Sequence, residues 1–204
     1  MNKRLSLVVP TYTLNDKLEE QALFCIETFM EQVDEIIVTE DGGNYSEEIR
    51  NLCDKYLYNK ENKGFTANVN EGWRLATGDF VAIVNSDIRW QDGNIRDLCI
   101  PGKVTSPLII NQYIPRLAGP FWVAPKEVTE ERGMLREEMR TYSSDSEYDE
   151  RVKDIFQKVD SVKVWHEQAQ TVKAAGVEGG EEQEKDRKIY QKLIEGGGVD
   201  YYGK

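Results

Sequence analysis

The chain has 204 residues, enough for one domain with a small appendage and for a sizeable core. Asp and Glu number 37 against 26 Lys and Arg, a formal net charge of -11, which lacks the basic footprint a nucleic-acid partner requires. No apolar run approaches the roughly 18 residues of a membrane helix, no signal-peptide core follows Met1, and the odd set Cys25, Cys53 and Cys99 has no metal-ligand spacing, so the expectation is a cytoplasmic protein with free thiols.

Taken in chain order, "RLSLVVP" (4–10) reads as strand one. Residues 17–30 place Leu18, Ala22, Cys25, Ile26 and Phe29 at helical spacing. "DEIIVTE" (34–40) is a second strand ending on the turn signal Asp41-Gly42-Gly43. Asn44 and Glu47 suggest a capping box for a short helix reaching Cys53, and 55–58 is a third strand. Residues 64–76 are helical, with Phe65, Val69 and Trp73 four apart. "FVAIV" (80–84) is a buried strand that breaks into Asn85-Ser86-Asp87. Strand and helix alternate through residue 87, which predicts parallel strands, crossover helices and a ligand site at the carboxyl ends of the strands. Thr11-Tyr12, Glu40-Asp41 and Asn85-Asp87 are thereby brought to one edge. An acidic protein that binds a phosphate ligand there needs a local positive charge or a divalent cation.

The second half is less regular. Residues 104–110 and 119–124 read as strands, 125–132 as a proline-started helix, and 159–165 as a last strand. Ser144 and Glu147 suggest a capping box opening a helix to about Lys158. Gly176, Gly179 and Gly180 mark a linker, 181–195 a charged helix, and "GGGVDYYGK" (196–204) a flexible tail. The division expected is therefore a main domain over 1–175, with a ligand-binding half at 1–87 and a second half at 88–175, followed by a 176–204 appendage. The charged helix is its candidate surface for homo-oligomer contact.

The segments "LSLVVPTYT", "IIVTEDGG", "NKGFTANVNEGWRLATGDFVAIVNSD" and "SDSEYDER", in this order and spacing, resemble the family 2 glycosyltransferases over roughly residues 4–170. The resemblance implies the GT-A fold, a Rossmann-like α/β architecture whose mixed, mainly parallel sheet is flanked by helices. It implies a metal-dependent inverting transfer from a nucleotide-diphosphate sugar to a hydroxyl of a saccharide or other acceptor, with Mn²⁺ or Mg²⁺ as cofactor. Pro10, Thr11 and Tyr12 match the segment lining base and ribose, and Asp41 the aspartate that bonds the base. Glu40 and Gly43 depart from the family's Asp and Ser and leave the base open. Asn62, Gly64, Asn68 and Asn70 match the segment facing the nucleotide sugar, with Lys63 an added positive charge.

Asn85-Ser86-Asp87 matches a variant of the Asp-x-Asp motif, putting Asn85 near the ribose and Asp87 on the metal; taken alone it is a polar turn. Asp145 falls on the family's general base, although Ser144 replaces the usual Glu. His166, the single histidine, falls where the family often places a metal ligand; imidazole with carboxylate suits Mn²⁺. Trp122 and Trp90 are candidates to stack on an acceptor sugar, against core packing as the plainer role. Two alternatives differ in class. A nucleotidyltransferase would carry a Gly-rich basic loop after strand one, where "PTYTLNDK" stands instead; a non-catalytic sugar-nucleotide or glycan-binding module is compatible with Ser144.

Overall fold

The computed structural model describes residues 3–117, 119–167, 174 and 180–196. Its elements are β1 (Leu5–Thr11), α1 (Asp16–Phe29), β2 (Glu35–Asp41), α2 (Glu47–Leu52), β3 (Lys55–Asn59), α3 (Phe65–Leu75), β4 (Phe80–Val84), β5 (Ile88–Asp92), β6 (Val104–Ile109), β7 (Phe121–Pro125), α4 (Lys126–Arg132), α5 (Ser144–Val152), β8 (Phe156–His166) and α6 (Glu181–Glu195), with a 3-10 turn at Ile95–Leu98. One eight-stranded sheet runs β3-β2-β1-β4-β7-β6-β8-β5. The pairs β3/β2, β2/β1, β1/β4 and β6/β8 are parallel, and β4/β7, β7/β6 and β8/β5 antiparallel. This is the mixed, mainly parallel α/β sheet that the resemblance implies, and its β3-β2-β1-β4 half is the parallel set that the strand–helix alternation predicts.

The central strands are buried along their whole length because helices cover both faces. In β1, Leu5, Leu7 and Val9 point into one core with Ala22, Ile26 and Phe29 of α1, while Val8 points into the other with Val69 and Trp73 of α3. Helix α3 comes close enough that a Cβ on Gly72 would sit 2.4 Å from Val8 Cγ1.

Several local expectations are corrected. Strand β5 and the 3-10 turn were not legible in the pattern. The cap of α2 is Ser46, whose side chain accepts the Ile49 N–H, and not Asn44. Helix α5 ends at Val152 rather than near Lys158, because Phe156 already begins β8. Its N-cap is Ser143, left-handed at φ 64° and without a side-chain cap bond, so Ser144 and Glu147 form no capping box. Glu147 instead meets Arg151 one turn on, both fully buried. Arg151 Nε and Nη2 each donate to the carboxylate at 2.8 Å, and Arg136 Nε adds another bond at 2.8 Å. Residues 197–204 of the expected tail, and Gly176 and Gly179 of the linker, lie outside the described residues. Among the described residues no helix is long and apolar enough to cross a membrane.

Glu147→Ala should therefore leave a buried guanidinium without its counter-charge and cost about 3–5 kcal/mol. Urea denaturation reads this as a lowered midpoint, and an unchanged midpoint would show that the pair contributes nothing.

Candidate functional site

The parallel strands β1, β2 and β4 end at one edge of the sheet, above a cleft of about 570 Å³. Pro10, Thr11 and Tyr12 enter it from β1, Asp41 from β2, and Asn85, Ser86 and Asp87 from the end of β4. Because β1 lies between β2 and β4, the β2 and β4 ends are two strand spacings apart, roughly 10 Å. A ligand lying across them has one end at Asp41 and the other at Asp87.

Near Asp41, buried carboxylates give the loops their shape. Glu40, fully buried, accepts the Thr11 hydroxyl at 2.8 Å, the Thr13 N–H at 3.0 Å and the Gly43 N–H at 2.9 Å, tying the end of β1 to the turn after β2. Asp41 accepts the N–H groups of Lys63 and Gly64, both at 2.8 Å, and so fixes the entry to α3. Burial raises the pKa of both carboxyls, and these backbone bonds oppose the rise. Asn62 and Gly64 line the cleft. Asn68 also lines it, donating to the carbonyls of Thr11 and Thr39, with its Oδ1 buried and unbonded. Lys63 does not: its Nζ pairs with Glu71 at 2.5 Å. Asn70 points elsewhere too, bonding Leu135 and Glu137.

Near Asp87 the pattern is different. Asp87 is buried, yet its Oδ1 accepts no hydrogen bond, and the Asn85 Oδ1 is likewise unbonded. His166 Nε2 lies 3.2 Å from Asp87 Oδ1. The two atoms face each other without the alignment of a hydrogen bond. The cause is the unforeseen strand: β5 pairs antiparallel with β8 so that Ile88 sits opposite His166, which brings Asp87 beside the imidazole. The other ring nitrogen, Nδ1, faces the Gln112 side-chain amide at 3.1 Å, orienting the ring. An unbonded carboxylate oxygen and an imidazole nitrogen converging on one space fit a divalent cation. Among the described residues no third His, Cys, Asp or Glu completes a cluster, so phosphate oxygens or water would supply the remaining ligands.

Asp145, in the first turn of α5, also lines the cleft. Its Oδ1 accepts the N–H of the adjacent Ser146 at 2.8 Å, a bond within its own turn. The other oxygen lies against Gly119, where an added Cβ would come within 2.1 Å of Oδ2. Burial pushes this carboxyl above its usual pKa, opposed by the Ser146 N–H and the Arg116 guanidinium.

The two tryptophans do not reach the cleft. Trp122 is fully buried, packed against Trp73 and Tyr148, because β7 is an interior strand covered on both faces. Trp90 packs its ring edge-on to Phe29. Trp122 has no exposed face, and Trp90 is half-buried away from the cleft lining. The sequence reading missed Phe65, Pro120 and the segment Arg140-Thr141-Tyr142-Ser143, as well as Glu182 of α6, all of which line the cleft. Of these only Arg140 is basic, and no spacing in the sequence marks it.

Residues 6–99 match the Glycosyl transferase family 2 profile. That match covers just under half of the 204-residue chain. No curated protein matches the chain. Among solved structures, S. aureus TarS 1-349 in complex with UDP-GlcNAc superposes with a TM-score of 0.62 at 14% identity, over 84% of this chain and 61% of that one. The mannosyltransferase PcManGT from Pyrobaculum calidifontis, in complex with GDP-Man and Mn²⁺, gives 0.64 at 16% identity over 83% and 58%. Glucosyl-3-phosphoglycerate synthase from Mycobacterium tuberculosis, in complex with Mn²⁺, UDP-Glc and phosphoglyceric acid, gives 0.63 at 11% identity over 99% and 82%. These likenesses establish the fold, GT-A. The chain spans about three fifths of the length of the first structures it matches.

A carboxyl whose pKa rises on folding destabilises the folded state once it ionises. Asp145→Asn should therefore raise the melting temperature at neutral pH. The gain should be absent below the unfolded carboxyl pKa of about 3.9, grow as pH climbs through the raised folded value, and level off above it. Thermal melts across pH check this, and a variant that melts lower at pH 7 would contradict it.

Proposed function

We propose that this chain is a metal-dependent inverting glycosyltransferase that moves a sugar from a nucleotide-diphosphate sugar to an acceptor hydroxyl. The observation that carries the reading is the unbonded Asp87 Oδ1 facing His166 Nε2 in the same cleft as a desolvated Asp145. The GT-A fold and the family 2 match over residues 6–99 support it.

In this reading the nucleoside lies against Pro10, Thr11, Tyr12 and Asp41, and the diphosphate reaches toward Asn85, Ser86 and Asp87. Both Asp41 oxygens already accept backbone N–H groups, but each retains a lone pair for a base N–H. Asp87 and His166 are the residues that would hold Mn²⁺ or Mg²⁺. Bound there, the cation supplies positive charge to the leaving diphosphate in a protein of net charge -11. Asp145 removes the acceptor hydroxyl proton while that oxygen attacks the anomeric carbon from the face opposite the diphosphate. One carbon–oxygen bond forms, the bond to the diphosphate breaks, the proton ends on Asp145, and the nucleoside diphosphate leaves. No enzyme nucleophile is required. A base poised nearer the working pH is more effective, and desolvation moves Asp145 that way.

The test is metal-dependent release of nucleoside diphosphate from UDP-, GDP- and dTDP-sugars with candidate saccharide acceptors. Asp87→Ala should abolish Mn²⁺-dependent donor binding while the fold survives. His166→Ala should weaken metal binding by a smaller factor, since water can take one coordination position. Asp145→Asn should lower kcat by roughly 10²–10⁴ with donor affinity unchanged. Wild-type donor affinity in Asp87→Ala would overturn the metal assignment, and wild-type turnover in Asp145→Asn the base assignment.

A further inference from the structure

We propose that the C-terminal helix α6 is a working part of the cleft, with Asp186 as the positioning residue that sets the path of the wall 140–142 and, through it, the placement of Asp145. The functional half of this inference rests on the reading above.

Asp186 is fully buried and is the one buried residue in the 15-residue helix. Its carboxylate accepts three successive backbone N–H groups from across the fold: Arg140 at 3.1 Å, Thr141 at 2.8 Å and Tyr142 at 2.9 Å. Such charge-assisted bonds are roughly twice as strong as neutral ones. The apolar residues on the same face, Ile189, Tyr190 and Leu193, are only half-buried, so the polar bonds of Asp186 carry a large share of the docking. Glu182, one turn earlier, adds two more: it accepts Arg140 Nη1 at 3.0 Å and the Thr141 hydroxyl at 3.1 Å.

Arg140 carries the tie across to the other wall. Its Nη2 donates to the Asn62 carbonyl at 2.6 Å and to Asn62 Oδ1 at 2.8 Å, and its Nε to the Lys63 carbonyl at 3.2 Å. The Arg140 carbonyl accepts the Thr66 N–H in the first turn of α3. The side chain lies flat on Gly64, where an added Cβ would come within 2.2 Å of Arg140 Cγ. Asn62, Lys63 and Gly64 are the segment that Asp41 holds. The chain from Asp186 therefore reaches the Asp41 end of the cleft in two links. In the other direction the wall runs from Tyr142 through the left-handed Ser143 straight into α5, where Asp145 is the second residue. One buried carboxylate thus constrains both the nucleoside end of the cleft and the approach to the candidate base. Nothing in this arrangement requires Asp186 to touch a ligand.

The experiment uses the full chain with Asp186→Asn, which keeps the size but turns one oxygen acceptor into a donor facing N–H groups, and Glu182→Gln as a milder second variant. Hydrogen exchange of the 140–142 amides, read without ligand, should accelerate at least tenfold in Asp186→Asn. Well below its melting temperature that variant should bind the sugar nucleotide at least tenfold more weakly and turn over more slowly, whereas its affinity for Mn²⁺ alone stays at the wild-type value. Glu182→Gln should show the weaker donor binding with a near-normal melting temperature. Unchanged exchange in Asp186→Asn overturns the positioning role. A lowered melting temperature with wild-type donor affinity and kcat in both variants reduces α6 to fold support and overturns the functional claim. If the wild type binds none of the UDP-, GDP- or dTDP-sugars with Mn²⁺, the proposed function is what fails, and the exchange result decides the positioning role alone.

Discussion

Buried carboxylates need hydrogen-bond donors, and the way this chain supplies them organises its cleft. Glu40, Glu147 and Asp186 each accept several backbone N–H groups, hydroxyls or guanidinium groups, and Asp41 accepts one backbone N–H on each oxygen. Each of these groups ties together segments that the sequence separates: β1 to the turn after β2, the end of β2 to the start of α3, the segment after α4 to α5, and α6 to the wall beside α5. An ionised carboxylate left alone in such places would cost several kcal/mol, so the loops have little freedom to depart from the paths these groups impose. For a protein of net charge -11, this is how acidic residues come to act as internal fasteners.

Against that pattern the exceptions carry meaning. Asp87 has a buried oxygen that accepts no hydrogen bond and faces His166 Nε2, and among the described residues Asp145 accepts only from its own turn. Both line the cleft. A fold that satisfies its other cleft-side acids this thoroughly leaves these two short of donors where a cation, or an acceptor proton, would complete them. The same burial that gives Glu40 its structural grip raises the Asp145 carboxyl toward the range useful to a base. In the proposed function, the number of donors that reach each group separates Glu40 from Asp87 and Asp145, where residue type would not.

The first half of the fold was legible because its signals are local. Short continuous apolar runs such as "FVAIV", bounded by turn signals, read as strands buried on both faces, and alternation with helices makes them parallel. The cleft residues at the ends of β1, β2 and β4 follow from that order. What was not legible depends on distant pairing. Strand β5, "IRWQD", has one fully buried residue and no clean alternation; it exists because β8 offers it an edge. The S-x-x-E at Ser144 imitates a cap, but Glu147 is drawn to Arg151 and Arg136 instead. Trp122 looked free to meet a sugar only while the interior position of β7 was unknown. The Asp186 contacts had no residue signature to read, because their donors are backbone groups.

We propose that the donor-poor Asp87 and Asp145 serve chemistry here, while the donor-rich Glu40 and Asp186 serve the fold. The most direct test compares thermal melts of Asp87→Asn and Glu40→Gln with and without Mn²⁺ plus a mixture of UDP, GDP and dTDP. Glu40→Gln should melt well below the wild type under both conditions, since it loses acceptors for several buried donors. Asp87→Asn should melt at or above the wild type without ligand and lose the ligand-induced rise. An Asp87→Asn protein that melts lower yet keeps the full rise would contradict the claim.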